Sequence, residues 1–100
     1  MSLLGIDVGT SGCKAAAYSV GGGCIASAHR EYPTVHPRPG WAELDSRLVL
    51  ARVKEVIAEV ASKTAHDPIT ALCISSMGEA MTPVDRNGQV LANSILQVDI

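Results

Sequence analysis

Gly5-Ile6-Asp7-Val8-Gly9-Thr10-Ser11-Gly12-Cys13-Lys14 (GIDVGTSGCK) puts a carboxylate between two apolar β-branched residues and then turns on Gly-Thr-Ser-Gly. Leu3 to Val8 reads as a strand and Gly9 to Gly12 as a tight turn, with a second small, apolar strand from Cys13 to Ser19. A strand that faces only core and solvent has no use for Asp7, whereas one that ends at a phosphate or a metal does. Backbone amides of such a turn can cradle phosphate oxygens. Glycines at 9 and 12 permit unusual dihedrals and close approach of a ligand. Thr10 and Ser11 add hydroxyl donors, and Lys14 adds a nearby positive charge. Asp7 then supplies a hard oxygen able to hold Mg²⁺ beside the phosphates. The pattern is neither a Walker A loop nor a dinucleotide fingerprint, because a strand and not a helix follows the turn. A glycine-rich hairpin with exposed polar residues remains the alternative at this point.

Outward from the turn, Gly21-Gly22-Gly23 marks a second turn and Cys24 to Tyr32 a third strand, which completes an antiparallel meander. Pro33 to Asp45 holds three prolines and is expected to lack regular structure. From Ser46 to Lys63 the period changes to that of a helix. Val49, Val53, Val56, Ile57 and Val60 share one face, with Arg47, Arg52, Lys54, Glu55 and Glu59 on the solvated side. Asp45 stands where an N-cap belongs. Ile69 to Ser75 is nearly continuous in apolar residues, as a buried strand would be. Asp85-Arg86-Asn87-Gly88 reads as a hairpin turn between Met81–Val84 and Gln89–Ala92.

Composition narrows the function classes. The 100-residue chain carries a formal charge of −2, which gives no basic footprint for nucleic acid. No apolar run approaches a membrane span, and no secretory leader is apparent. Cys13, Cys24 and Cys73 are an odd number at wide spacing in expected strands, where each would act as a small hydrophobe. A reducing cytoplasm suits them better than disulfides or zinc. Phenylalanine is absent and aromatics total 3%, so the core must be built from Ala, Val, Ile and Leu. Met77 and Met81 read as core fillers. Trp41 is assigned either to packing over the helix start or to a sugar face. His29, His36 and His66 are scattered and carry no assigned chemistry.

The stretch Leu4 to Ala15 resembles the opening phosphate motif of the FGGY family of carbohydrate kinases. Three further segments are similar to that family in order. They are Pro39–Asp45 (PGWAELD), Ile69–Met77 (ITALCISSM) and Val84–Leu91 (VDRNGQVL). The resemblance implies an α/β fold, part of a ribonuclease H-like (actin-like ATPase) domain, as a three-stranded meander followed by helix, strand and hairpin. It implies ATP and Mg²⁺ as cofactors and a sugar or polyol as the phosphoryl acceptor. Asp7 would be the magnesium-associated acid, Gly9, Thr10 and Ser11 would meet ATP phosphates, and Lys14 could support the charge. On the sugar side it implies Met77, Gly78 and Glu79, where a carboxylate can accept two hydroxyl bonds.

The match departs at Ile95–Ile100 (ILQVDI), which keeps Asp99 for the sugar side but has Gln97 where the family carries Trp. The resemblance places the catalytic base, the second phosphate loop and the adenosine site of a second domain downstream of Ile100. Residues 1–100 are therefore expected to be the N-terminal, incomplete part of the first kinase domain, inactive alone. Unpaired strand edges lead to the expectation of a homo-oligomer. A non-catalytic ligand-binding or assembly module of the same superfamily is the alternative, and an actin-like or chaperone-type ATPase ranks behind it.

Overall fold

The computed structural model describes residues 1–77 and 80–96. Strands β1 (Ser2–Val8), β2 (Gly12–Ser19) and β3 (Cys24–Glu31) form the expected meander. After β3 come β4 (Glu43–Leu44), the helix α1 (Ser46–Ser62), β5 (Ile69–Ser76) and β6 (Ser94–Ile95). The main sheet has the order β3-β2-β1-β5, and β5 lies parallel to β1 with Leu4 beside Leu72 and Ile6 beside Ile74. That parallel neighbour requires a crossover, which α1 supplies.

The turns follow from their residues. Between β2 and β3, Gly22 adopts φ 96°, and Ser19 Oγ accepts from the Gly23 amide at 3.1 Å. The helix starts where its cap permits. Asp45 accepts from the amides of Arg47 at 3.0 Å and Leu48 at 3.4 Å, which satisfies donors that have no partner inside the helix. Val56 and Val60 are fully buried, and Val49, Val53 and Ile57 pack beside them. Against them β2 and β3 present Ala15, Ala17 and Ala28, so a helix can sit close to the sheet without large side chains. Arg30 of β3 reaches Glu59 at 2.8 Å and Glu55 at 3.3 Å, and Arg52 also pairs with Glu55. Thus Glu55 and Glu59, expected on the solvated face, turn back to the sheet edge. The Arg30 guanidinium, and then Lys63, hold the Glu59 carboxyl below its ordinary range.

Several sequence expectations change. β5 is not buried: Leu72 and Ile74 are each 57% exposed. Both share the sheet face on which α1 packs, but α1 lies across β2 and β3 and its footprint ends short of β5. Of the cysteines only Cys13 is a core residue, while Cys24 and Cys73 are exposed. The proline-rich segment is not wholly irregular, because β4 pairs antiparallel with β6 and Val35 bridges Glu43. The hairpin turn forms, with Gly88 at φ 78° and Asp85 Oδ1 accepting from Asn87 and Gln89 amides at 2.8 and 2.9 Å. Its arms, however, meet only in a Val84–Val90 bridge. Met77 packs partly against the core as expected, but Met81 is 80% exposed.

Candidate functional site

β1 and β5 run parallel, so the turn after β1 and the loop after β5 emerge at the same rim of the sheet. In α/β sheets, ligands bind outside the carboxyl ends of strands. Asp7 lies at this rim with its side chain exposed, paired in register with Lys14 on β2 and Ser75 on β5. Asp7 and Lys14 are direct cross-strand neighbours of opposite charge, and no ion pair joins them among the described residues.

Both residues border two shallow depressions. One, of about 260 Å³, is lined by Asp7, Ser11, Gly12, Lys14 and His29 among others. The other, of about 330 Å³, lies on the sheet face away from α1, with Gly5, Asp7, Lys14, Tyr18 and Ser75 on its walls. The turn itself is closed by Gly9 N–H donating to Gly12 O at 2.9 Å. Among the described residues no acceptor meets the amides of Thr10 and Ser11, and both residues are exposed. Two adjacent free amides with two hydroxyls are suited to an anion.

The glycines are needed for space and not for unusual dihedrals, since neither Gly9 nor Gly12 has a positive φ. A Cβ on Gly12 would stand 2.6 Å from the Arg30 carbonyl oxygen, and one on Gly9 would stand 3.2 Å from Gly12 O. The turn is thus pressed against the end of β3.

Magnesium can be tested against this donor set. No group of three or more His, Cys, Asp or Glu side chains capable of holding a metal occurs among the described residues. Asp7 is instead a single exposed carboxylate beside hydroxyls. That fits a hard cation which keeps most of its water and takes its remaining ligands from phosphate.

Met77 reaches the same rim, its amide donating to Val8 O at 3.2 Å, but its side chain lines a separate depression with Val49, Val53, Thr82 and Ser94. Gly78, Glu79 and Asp99, expected on the sugar side, lie outside the described residues. Trp41 is half-exposed in its loop, its ring 5.2 Å beneath the Arg38 guanidinium.

Two features escaped the sequence reading. Ser46, Thr82 and Ser94 form a closed triangle of hydroxyls, each pair 2.7 Å apart, that ties the start of α1 to the segment after β5. Tyr32 is 5% exposed, and its hydroxyl lies 2.5 Å from Gly9 O and 2.9 Å from Gly12 O. Burial, followed by the Cys13 and Asp7 charges, pushes this phenol up to about 12. Its partners could be found only by aligning β3 against the glycine turn, which no periodicity reveals.

Residues 2–100 match the family model for the N-terminal domain of the FGGY family of carbohydrate kinases. A glycerol kinase of Stenotrophomonas maltophilia is 36% identical over 97 residues, covering 94% of this chain and 19% of that protein. A xylulose kinase of Staphylococcus xylosus is 26% identical, over 97% of this chain and 20% of that one. Among solved structures, a gluconate kinase from Lactobacillus acidophilus superposes with a TM-score of 0.91 at 31% identity, over 98% of this chain and 20% of its own. A xylulose kinase from Rhodospirillum rubrum does so with 0.90 at 29% identity, over 99% and 21%. The chain therefore spans about a fifth of the length of the proteins it matches.

Proposed function

This chain belongs to the FGGY family of carbohydrate kinases, and from that premise we propose that it contributes the phosphate-side rim of an ATP-dependent kinase acting on a sugar or polyol hydroxyl. The observation that carries the reading is the turn at the carboxyl end of β1. It offers two free amides and two hydroxyls next to the exposed carboxylate of Asp7, with Lys14 opposite.

In this reading Thr10 and Ser11 bind phosphate oxygens through their amides and hydroxyls, and Gly9 and Gly12 keep the turn bare enough for them to approach. Lys14 offsets part of the charge. Asp7 would hold hydrated Mg²⁺ against the phosphates, and that ion would neutralise charge during transfer. Phosphoryl transfer depends on positioning and on charge neutralisation. One turn and one acid do not supply a base for the attacking hydroxyl, so the 100-residue chain alone is inactive. It forms the incomplete N-terminal part of the first kinase domain. Met77, Gly78, Glu79 and Asp99 are assigned to the acceptor side of the same rim. The exposed Leu72 and Ile74 on β5, an edge strand among the described residues, support self-association of the isolated chain.

The test is ADP release by the protein that carries this chain, screened over glycerol, xylulose and gluconate, beside its Asp7→Asn variant. ATP-dependent turnover with one acceptor class is expected, with kcat/KM falling by roughly 10²–10³ in the variant, the scale of losing one charge-stabilising group. Asp7→Asn at full activity would sink the assignment of Asp7. Turnover by residues 1–100 alone would sink the claim of inactivity.

A further inference from the structure

We propose that Tyr32 is a positioning residue for the phosphate turn, its hydroxyl and amide together holding the turn's carbonyls inward so that the Thr10 amide faces a nucleotide phosphate. The inference rests on the phosphate reading of that turn. Three carbonyl oxygens of the turn are engaged from one side. Gly9 O and Gly12 O share the Tyr32 hydroxyl proton at 2.5 and 2.9 Å, and Ser11 O accepts from the Tyr32 amide at 3.1 Å. A trans peptide sets each N–H opposite to the preceding C=O. Holding Gly9 O toward Tyr32 therefore aims the Thr10 amide away from it, and among the described residues that amide meets no acceptor.

Tyr32 is itself firmly placed. It directly follows β3, and its ring belongs to the buried core with Cys13 and Ala15, so that the hydroxyl is the side chain's one polar group. Because the phenol titrates at about 12, the donor proton is present throughout the physiological range. Gly12 completes the arrangement, since any side chain there would collide with the Arg30 carbonyl and push the turn off β3. Asp7 and Lys14 supply charge, but neither constrains the turn's peptide planes. Tyr32 is the only side chain among the described residues that hydrogen-bonds the Gly9 or Gly12 carbonyl.

The test is Tyr32→Phe in the protein that carries this chain, a change that retains the buried ring and removes one oxygen. Three quantities are read: the Kd of MgADP by calorimetry, the KM for ATP against the KM for the acceptor, and hydrogen exchange at the Thr10 amide with and without MgADP. The expected result is MgADP binding and ATP KM weakened about tenfold, the scale of one lost hydrogen bond. Weaker protection of the Thr10 amide by MgADP and an acceptor KM within about twofold of wild type complete the expectation. Equal MgADP affinity in the two proteins would overturn the inference and leave the phosphate reading standing. So would an acceptor KM that rises as much as that for ATP, which would mark a structural role only. Failure of the wild type itself to bind MgADP would remove the phosphate reading, and this inference with it.

Discussion

Replacing Gly12 with alanine should destabilise the chain sterically, and by more than the same change at Gly9 or Gly5. The new Cβ would stand 2.6 Å from the Arg30 carbonyl oxygen and 3.3 Å from the Glu31 Cα, both backbone atoms that cannot rotate aside. Ordinary contact begins near 3.4 Å, so strands β2 and β3 must part by several tenths of an ångström next to the turn. Arg30 resists this, because its guanidinium is anchored to Glu55 and Glu59 of α1. Overpacking of this kind costs about 1–3 kcal/mol. A ladder hydrogen bond weakened beside it adds roughly 0.5–1 kcal/mol. A total near 2 kcal/mol would lower the Tm by about 8–16 °C in a domain of this size. Gly5→Ala is the control. Its Cβ would lie 4.0 Å from Ala16 O, an ordinary contact. Removing a glycine from a strand interior should there be neutral or stabilising by about 0.5–1 kcal/mol. Gly9→Ala, at 3.2 Å from Gly12 O, should fall between the two. Urea unfolding followed by circular dichroism measures all three. If Gly12→Ala and Gly5→Ala unfold within about 0.5 kcal/mol of each other, the steric account of the turn is wrong.

The uneven helix footprint yields a paired expectation: Val56→Ala should cost about 1.5–3 kcal/mol through a buried cavity, while Leu72→Ala should stay within about 0.5 kcal/mol in this chain. Thermal unfolding of the two variants decides it, and an equal loss would mean that β5 is covered. For alkaline pH the sign follows from Tyr32, whose phenol is raised to about 12 in the fold. The unfolded phenol titrates near 10. Its contribution is complete below about pH 10 and is lost as pH rises through the folded value, a loss of roughly 2–3 kcal/mol. Tyr32→Phe should lack that part of the slope, which unfolding at pH 9 and pH 11.5 would reveal. Parallel slopes in the two proteins would refute it.

Much of the site was legible in the chain. Asp7, the Gly-Thr-Ser-Gly turn and Lys14 are contiguous, and the hairpin that brings Asp7 opposite Lys14 is a local structure whose register the turn itself sets. The helix was equally legible, since its valines repeat at the helical period and Asp45 caps it without help from distant residues. Of the residues expected on the sugar side, Gly78, Glu79 and Asp99 lie outside the described residues, and Met77 is described at the rim after β5.

What the sequence by itself determined was the local order: meander, cap, helix, strand, and the identity of the turn that offers its amides. These depend on short-range sterics and on periodicity, which neighbouring residues encode completely. Tertiary structure alone decided which apolar strand is covered and what holds the turn. Leu72 and Ile74 read as core, yet they stay exposed because burial depends on where a helix from another part of the chain lands. Gly12 and Tyr32 are separated by 20 positions, and only the pairing of β2 with β3 turns a lone tyrosine into the donor for two turn carbonyls. Hydrogen bonds and excluded volume act across space, so such partners are fixed by the packed sheet and not by spacing along the chain.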